Sequence, residues 1–291
     1  MNILVTGSNS QLGRSLKKLS DETNIPHHFV FTSRDQLDIS SISDLETFIE
    51  SGNFDIIINF AAYTRVEEAE NNKIQANLIN HFAVKRIAEI SNKNQIKLIH
   101  LSSDFVFDGY KNEPYNENDN AFPLSIYGKS KYDGEQAILE VMKTNAIILR
   151  TSWMYSEYGN NFVDTVLKLS RENESLNVVT DQIGNPTYAG DLSQLIVKII
   201  MSEKINSNNQ LSKIFHYSNE GSCSWYDFAK EVIKISGIKC KINPILSKNY
   251  PSKAVRPKNS SMSKKKVTRE FDIKTIPWKD SLKRCIDNIS N

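Results

Sequence analysis

A tyrosine and a lysine four residues apart are the residues of this sequence whose types and spacing first suggest chemistry. Tyr127 and Lys131 stand at the start of a predicted helix that runs on towards Val141. Residues four apart lie on one face of a helix, so the phenol and the ammonium are expected to be neighbours. A nearby positive charge lowers the pKa of a phenol. We therefore predict that Tyr127 exchanges a proton with a carbonyl or alkoxide oxygen.

The same spacing occurs a second time, at Tyr226 and Lys230, and about one such match is expected by chance in a chain of this composition. Context separates the two pairs. Tyr127 follows a predicted strand that ends at Ser103, whose hydroxyl is placed to bind the same substrate oxygen. Tyr226 and Lys230 have no such partner. We interpret the second pair as part of an ordinary helix face.

A turn that contains two glycines follows the first predicted strand. Residues 6–13 read TGSNSQLG, a pattern that lets the backbone approach a pyrophosphate at a helix N-terminus. Alone, the pattern is also compatible with a merely structural turn, but its position at the opening of a strand–helix–strand unit favours a dinucleotide. Ser10 stands where a third glycine is usual and adds a side chain there. The predicted contacts are Gly7, Ser10, Gln11, Leu12 and Gly13.

The end of the second predicted strand bears on which nicotinamide cofactor is used. A site for NAD usually has an acidic residue there for the ribose hydroxyls, whereas residues 31–34 read FTSR. Arg34 is suited to a 2′-phosphate, so we predict NADPH, with NADH as the alternative. Asp38 and Ile39 are predicted to flank the adenine. An oxidised nicotinamide ring beside Tyr127 would add to the expected fall in the pKa of the phenol.

Short apolar runs that alternate with helical patterns predict the fold. The runs at residues 3–5, 29–31, 56–60, 98–101 and 147–149 are typical of buried strands in a parallel sheet. The class is α/β, a doubly wound parallel sheet with a smaller C-terminal substrate-binding lobe. Residues 1–150 form the predicted NADP-binding domain, with a return helix near residues 186–202. Residues 151–291 form the predicted lobe, partly interleaved with that domain. One helix is predicted to present a face of Ile74, Leu78, Phe82, Ile87 and Ile90.

Composition excludes several classes of function. The formal net charge is +2, from 36 basic and 34 acidic side chains, which argues against a nucleic-acid or membrane-surface binder. The three cysteines are widely spaced and the five histidines are scattered, so we predict no metal site and no disulfide framework. No signal peptide and no apolar run of membrane-spanning length is apparent, and a cytoplasmic location is expected.

Taken together, these motifs resemble the extended short-chain dehydrogenase/reductases and, within them, the dTDP-4-dehydrorhamnose reductases. The similarity runs over almost the whole length of the chain. The stretches that carry it are TGSNSQLG from Thr6, NFAAYTRVEEAE from Asn59, LSSDFVFDG from Leu101, YGKSKYDGE from Tyr127, RTSWMY from Arg150, GNNF from Gly159, DQIGNPT from Asp181 and the pair Arg256-Pro257.

The resemblance implies that hydride passes from NADPH to C4 of dTDP-4-dehydro-L-rhamnose, giving dTDP-L-rhamnose. It implies that Tyr127 donates the proton, that Lys131 lowers its pKa and binds the nicotinamide ribose, and that Ser103 replaces the usual threonine. The implied sugar contacts are Asp104, Phe105, Trp153 and Arg256. Phe105 stands where the family usually has a tyrosine. The alternative for Trp153 is a residue that only packs between the two lobes. The implied neighbours of the cofactor are Ala61, Ala62, Tyr63 and, at a greater distance, Asn77.

Some members of that family carry glutamates proposed to bind Mg²⁺ at a dimer interface. One of these positions is Ser15 here, and we predict no metal. The oligomeric state stays open between a monomer and a homodimer.

Two other functions remain open on the same resemblance. Nucleotide-sugar dehydratases and epimerases share the fold, but the dehydratases follow the strand-end aspartate with a glutamate base, and here Phe105 follows Asp104. The regulatory β subunit of methionine adenosyltransferase is also similar to these reductases and binds NADP without catalysis. The presence of Ser103, Tyr127 and Lys131 favours catalysis, because a purely binding role needs no proton relay.

Overall fold

Six parallel strands form the sheet that positions the candidate site. The structure, a computed structural model, describes residues 1–206 and 211–290. The strands are β1 (Asn2–Thr6), β2 (His28–Thr32), β3 (Ile56–Asn59), β4 (Lys97–Ser103), β5 (Ala146–Thr151), β6 (Met154–Tyr155), β7 (Ser175–Val179), β8 (Ile183–Gly184), β9 (Thr187–Tyr188), β10 (Lys213–His216), β11 (Cys223–Ser224) and β12 (Lys241–Ile245). Six of these strands form the large parallel sheet, in the order β2-β1-β3-β4-β5-β10.

Helices cover both faces of this sheet. They are α1 (Gln11–Glu22), α2 (Ile42–Ser51), α3 (Val66–Ala69), α4 (Lys73–Asn77), α5 (Ala83–Lys93), α6 (Ile126–Val141), α7 (Phe162–Glu172), α8 (Ala189–Met201), α9 (Glu203–Asn206), α10 (Trp225–Ser236), α11 (Lys265–Phe271) and α12 (Trp278–Ser290). A π-helical turn spans Leu78–Phe82, and 3₁₀ turns span Asp104–Val106 and Ser247–Asn249. The predicted doubly wound α/β fold is confirmed.

The strand order reverses beside β1, and this reversal creates the site. β1 pairs in parallel with β2 on one side and with β3 on the other, so the loops that follow β1 and β3 leave in opposite directions. A crevice opens beyond the carboxyl ends of strands at such a point. The register sets Thr6 level with Asn59 and Asn59 level with His100, which brings their side chains to one depth across three strands.

Two apolar layers, one on each face, hold the sheet together. On one face Leu12 and Leu16 of α1 pack with Leu192 and Ile196 of α8, all of them almost fully buried. On the other face the core is built from α2, α5 and α6. β3 shows why the strands form, since its four residues Ile56–Asn59 are all buried and three are β-branched.

The second half of the chain returns to the sheet twice. The helix predicted near residues 186–202 is α8, which packs against α1, and β10 pairs in parallel with β5. The remaining elements form a separate apolar cluster around α7, α10 and α12, which builds the lobe. The predicted return helix therefore appears, but the sheet is completed by residues that follow the lobe's first helix.

One predicted helix face is only partly correct, because Ile87 and Ile90 are buried as predicted but the first part of the face is not. Ile74 and Phe82 were expected to face the core but are 87% and 54% exposed. The π-helical turn Leu78–Phe82 inserts an extra residue into the helical repeat, so the inward direction moves to Asn80, which is fully buried. No helix among the described residues is long and apolar enough to cross a membrane.

Candidate active site

Helix α6 presents the predicted tyrosine and lysine at the carboxyl end of β4. Ser125 caps the helix, since its Oγ accepts a hydrogen bond from the Gly128 N–H at 3.1 Å. A Cβ on Gly128 would lie 2.2 Å from the Phe105 carbonyl oxygen, and one on Gly134 would lie 2.2 Å from the Asn80 carbonyl oxygen. These two glycines therefore let α6 lie directly against the turn after β4 and against the π-helical turn.

Tyr127 lies in the first turn of α6 beside the end of β4. Its ring makes an edge contact with Phe105, with 5.5 Å between the ring centroids. Burial raises the pKa of Tyr127 to about 12, against the lowering effect of a hydrogen bond with Ser103, and the charge of Asp104 raises it further. The groups of the chain itself thus shift this pKa upward, opposite to our prediction. The consequence is that Tyr127 is protonated at neutral pH, the form that donates a proton.

The Lys131 ammonium is directed towards β4. Lys131 is 2% exposed, and its Nζ donates to the Leu101 carbonyl oxygen at 2.6 Å and lies 3.4 Å from His100 Nε2. The ammonium is thus held against β4. Burial lowers the pKa of Lys131 to about 8, while the charge of Glu135 acts in the opposite direction.

Ser103 and Asp104 form the strand-end partner of Tyr127. Ser103 Oγ accepts from the Phe105 N–H at 3.2 Å and donates to Asp104 Oδ1 at 3.1 Å. Asp104 is 2% exposed, and its Oδ2 has no hydrogen-bond partner among the described residues. Burial raises the pKa of Asp104 to about 6. This carboxyl group therefore has an unused acceptor beside the tyrosine.

A buried ion pair fixes the far end of the same helix face. Arg150 on β5 binds Glu135 with both nitrogen–oxygen pairs, at 2.9 and 2.6 Å, and both side chains are almost fully buried. The Arg150 guanidinium also lies 5.1 Å above the ring of Phe107. Such a pair is strongly destabilising to break, because the remaining charge would be buried alone. It locks the rotation of α6 and hence the direction of Lys131.

The glycine turn is shaped as its sequence predicted. Gly7 has φ +70°, and a Cβ there would lie 2.7 Å from the Ala61 nitrogen, so only glycine fits. A Cβ on Gly13 would lie 2.5 Å from the Gly7 carbonyl oxygen. Ser10 has φ −69° and caps α1 by accepting from the Gly13 N–H at 3.0 Å. A side chain is therefore tolerated at Ser10, which turns it onto the helix.

The first backbone N–H groups of α1 supply what an anion needs. The leading N–H groups of a helix have no acceptor within the helix, and in α1 these include Gln11 and Leu12. The Gln11 side chain also accepts from Ser156 Oγ at 3.0 Å, which joins the turn to the second half of the chain. Leu12 points into the core and is 1% exposed.

The residues after β2 separate into an exposed pair and a buried one. Arg34 is exposed, and its Nε donates to Asp38 Oδ2 at 3.0 Å. Asp38 also accepts from the hydroxyl and the N–H of Ser40. Ile39 is 3% exposed and belongs to the apolar core below the loop. The guanidinium is thus oriented by a neighbouring carboxylate at the end of β2.

The segment Ala61, Ala62 and Tyr63 follows β3 on the other side of the crevice and is half-buried. Its anchor is Asn80, whose side chain accepts from the Tyr63 N–H at 2.8 Å and donates to the Tyr63 carbonyl at 2.9 Å. The placement of Asn77 at a greater distance from the cofactor stays a prediction. Asn77 donates to the Lys73 carbonyl of its own helix, because the π-helical turn brings Asn80 inward instead.

Trp153 stands at the opening of the lobe in a strained conformation. Its φ is +45°, a region that bulky side chains rarely adopt, and its ring stacks on Trp225 with centroids 3.5 Å apart and 6° between the planes. A Cβ on Gly184 would lie 2.5 Å from the Trp153 ring. The stacked pair is therefore placed by a glycine on one side and by α10 on the other.

Behind this pair is a cavity of about 330 Å³ that sequence reasoning missed. Its walls come from α7, β7, α10 and the loop before α11, and include Phe162, Leu176, Val179, Gln182, Trp225, Ser247, Tyr250 and Arg256. Arg256 pairs with Glu67 of α3, which also accepts from the Lys253 N–H at 2.8 Å. The sequence signals were the stretches GNNF and DQIGNPT and the Arg256-Pro257 pair, and they did not reveal a cavity because its walls meet from distant segments.

No cluster of three or more His, Cys, Asp or Glu side chains that could hold a metal ion occurs in residues 1–206 and 211–290. At the position discussed for Mg²⁺ in related proteins, Ser15 is buried and its Oγ donates to the Gln11 carbonyl at 2.9 Å.

Comparison with known proteins shows which family the chain belongs to. The family described as RmlD substrate binding domain matches residues 1–291. The chain belongs to this family. A dTDP-4-dehydrorhamnose reductase of Aggregatibacter actinomycetemcomitans is 38% identical over 291 residues, covering 97% of each chain. A dTDP-4-keto-6-deoxy-D-glucose reductase of Streptomyces niveus is 34% identical, over 88% of this chain and 86% of the other.

A solved structure of another RmlD-like protein is closely similar. The dTDP-4-dehydrorhamnose reductase of Bacillus anthracis, crystallised in complex with NADP, superposes with a TM-score of 0.91 at 36% identity and covers 99% of both chains. The residues that carried the resemblance in the sequence therefore belong to a fold shared along the whole chain.

Proposed function

We propose that this protein is an NADPH-dependent reductase of a nucleotide-linked 4-keto-6-deoxysugar, converting dTDP-4-dehydro-L-rhamnose to dTDP-L-rhamnose. The observation that supports the proposal is the cluster at the end of β4, where protonated Tyr127 and the Ser103 hydroxyl interact and Lys131 is buried against the Leu101 carbonyl. Family membership supplies the substrate class, since relatives along the full length bear the names of dTDP-sugar reductases.

The chain's own residues perform the proton chemistry. NADPH, when bound, supplies the hydride that reaches C4 of the sugar. The Tyr127 phenol donates its proton to the C4 oxygen. The Ser103 hydroxyl, which donates to Asp104 Oδ1 in this structure, turns to donate its hydrogen to the same C4 oxygen as negative charge develops on it. Asp104 keeps a free acceptor beside these groups, suited to a sugar hydroxyl. Lys131 stands below as the positive charge that offsets the phenolate.

The cofactor is expected along the carboxyl ends of β1, β2 and β3. Its pyrophosphate fits the N-terminus of α1, where Gly7 and Gly13 keep the backbone close and Gln11 and Leu12 offer N–H groups. Ala61, Ala62 and Tyr63 would border it across the crevice, and Asp38 and Ile39 would flank the adenine.

Arg34 is proposed to bind the 2′-phosphate of NADPH, because it is the exposed cation at the end of β2. Arg34→Ala should weaken binding of NADPH by about tenfold while binding of NADH changes little, since only NADPH carries the phosphate. Fluorescence titration of both cofactors measures this. Equal weakening of the two would remove Arg34 from the phosphate contact.

The sugar and its nucleotide are proposed to lie between Tyr127 and the cavity in the lobe. Trp153 offers an aromatic face at the boundary, and Phe105 lies beside Tyr127. The cavity behind Trp153 has apolar walls for a base, and Arg256 is the cation for the diphosphate. Because a phenyl ring replaces the base found in dehydratases, reduction without proton removal from C5 is the expected reaction.

The direct test is NADPH oxidation with dTDP-4-keto-L-rhamnose, followed by identification of the product sugar. Turnover supports the proposal, and turnover with dTDP-4-keto-6-deoxy-D-glucose instead would assign the other sugar known for the Streptomyces niveus relative. Cofactor binding without turnover, across a panel of nucleotide 4-ketosugars, would instead favour a regulatory NADP-binding subunit.

We further propose a cytoplasmic location, where nucleotide sugars and NADPH are made, and a homodimer as the assembly. Light scattering of the purified protein measures the second point. A mass of about 33 kDa in solution, that of the single chain, would exclude the dimer.

A further inference from the structure

A line of buried polar side chains crosses the sheet beneath the proposed active site. Thr6 on β1, Asn59 on β3 and His100 on β4 occupy level positions, and each is at most 1% exposed. Lys131 ends the line, with its Nζ 3.4 Å from His100 Nε2. Polar groups this deep among apolar neighbours cost free energy unless they bind one another. The line runs from the glycine turn to the proposed catalytic lysine.

The direction of the hydrogen bonds is set at Thr6. The Ala61 N–H donates to Thr6 Oγ1 at 3.4 Å, so the hydroxyl hydrogen is available for Asn59 Oδ1 at 2.6 Å. The amide nitrogen of Asn59 then faces His100 and lies 3.1 Å from its Nδ1. An amide nitrogen only donates, so Nδ1 accepts. The single hydrogen of a neutral imidazole ring therefore sits on Nε2.

The His100 ring is neutral because burial, together with the charge of Lys131, holds the pKa of His100 well below its usual range. Its Nε2–H points at Lys131 Nζ. An ammonium has three hydrogens and no acceptor, whereas a neutral amine can accept this N–H. The distances agree, since Nζ is 2.6 Å from the Leu101 carbonyl but 3.4 Å from His100. The imidazole thus opposes the charged form of Lys131.

We propose that His100 is a positioning residue that acts through Lys131: Thr6 and Asn59 fix its tautomer, and its Nε2–H favours transfer of a proton out of the Lys131 ammonium. This inference rests on the proposed reductase activity, in which the Tyr127 phenol gives up a proton in every turnover. The Lys131 ammonium supplies the replacement proton to the Tyr127 phenolate through an intervening water or hydroxyl, which restores the phenol and leaves a neutral amine. Water then returns a proton to the amine.

Several titratable or charged groups surround Lys131. The groups that can carry charge are Tyr127 and Glu135 on α6, His100 on β4, Asp104 beside Tyr127, and Arg150 on β5 behind Glu135. Glu135 favours the ammonium, but its carboxylate is already bound by Arg150. Asp104 faces Tyr127. His100 is therefore the group in direct contact with Nζ that can favour release of its proton.

The tautomer can be observed directly by long-range proton–nitrogen NMR on protein labelled with ¹⁵N-histidine. The His100 signal is identified by its loss in His100→Asn. We expect a hydrogen on Nε2 and none on Nδ1 in the wild type. Thr6→Val, which removes the hydroxyl at nearly constant volume, should let the Asn59 amide turn and populate the Nδ1–H form. A wild-type ring with its hydrogen on Nδ1, or an unchanged ring in Thr6→Val, would overturn the inference.

The functional consequence is measured on the pH profile of kcat. In His100→Asn the new Oδ1 replaces Nδ1 as the acceptor for Asn59. The N–H that pointed at Lys131 Nζ is lost, and the Leu101 carbonyl remains. The wild type should lose turnover as the pH rises past the Lys131 pKa of about 8. The variant should lose it about one pH unit higher, with KM for NADPH changed by less than about twofold.

The two failures are distinguishable. An alkaline limb that does not move, in a His100→Asn variant with a wild-type melting temperature, refutes the role of His100. A wild type that reduces no ketosugar refutes the proposed function and leaves the NMR result to decide the tautomer. A variant that does not fold also leaves the decision to the wild-type and Thr6→Val spectra.

Discussion

Two helices of this protein carry a tyrosine followed four residues later by a lysine, and they show what the spacing does not specify. On α6, Lys131 is buried and bound to the Leu101 carbonyl, beside the end of β4. On α10, Lys230 is exposed and lies 5.2 Å above the ring of Tyr226. The second lysine covers its tyrosine, whereas the first is pulled below it. The strand end, and not the spacing, makes a site.

Both helices begin with a serine N-cap, so capping does not distinguish them. Ser125 caps α6, and Ser224 caps α10 in a reciprocal pair with Asp227. The helix N-termini therefore do not differ in quality. They differ in what lies in front of them: β4 delivers the Ser103 hydroxyl and a carboxylate to α6.

The largest expected difference between the pairs is in the two phenols. Tyr127→Phe should lower kcat by about 10²–10⁴ because the proton donor is lost, while affinity for NADPH stays nearly unchanged. Tyr226→Phe is the matched control and should keep wild-type turnover. Steady-state kinetics with the ketosugar measures both. Comparable activity in Tyr127→Phe would remove this phenol from the mechanism.

The second largest difference in kcat is expected between substitutions of the two lysines. Lys131→Met should lower kcat by about 10²–10³, because the phenolate loses its neighbouring charge and the means of regaining its proton. Lys230→Met should change kcat by less than about twofold. Equal effects of the two substitutions would mean that burial against β4 does not distinguish them.

The smallest difference is expected at the caps. Ser125→Ala and Ser224→Ala should each lower the free energy of unfolding by about 1 kcal/mol, because each leaves a helix N–H without its acceptor. Only Ser125→Ala should also lower kcat, since Tyr127 lies two residues beyond that cap. Chemical denaturation and kinetics on the same samples measure the pair. A loss of kcat in Ser224→Ala alone would reverse the assignment of the site to α6.

The strands of the sheet and part of the candidate site could be predicted from the sequence, because local chemistry determines them. The strands of the sheet are apolar runs, and Gly7 is fixed by a positive φ and a close approach that no other residue allows. Ser103 follows from its place at a strand end. These features depend on neighbours in sequence or on the rule that places ligands at carboxyl ends of parallel strands.

The remainder depends on contacts that sequence periodicity does not encode. A single inserted residue in the π-helical turn brings Asn80 inward to hold Tyr63, and a helical repeat cannot reveal such an insertion. His100 reads as a core histidine until the register of three strands aligns it with Asn59. The predicted direction of the Tyr127 pKa was wrong because burial of the phenol raises this pKa, and burial cannot be deduced from the spacing with Lys131.

The return of β10 to the edge of β5 has a consequence for how the chain is made. A ribosome releases the first five sheet strands well before Lys213–His216 emerges, so β5 must wait with an unpaired edge and α1 without its cover of α8. Open strand edges are prone to pair with other chains. The nascent protein therefore passes through a period of synthesis in which it is most exposed to aggregation.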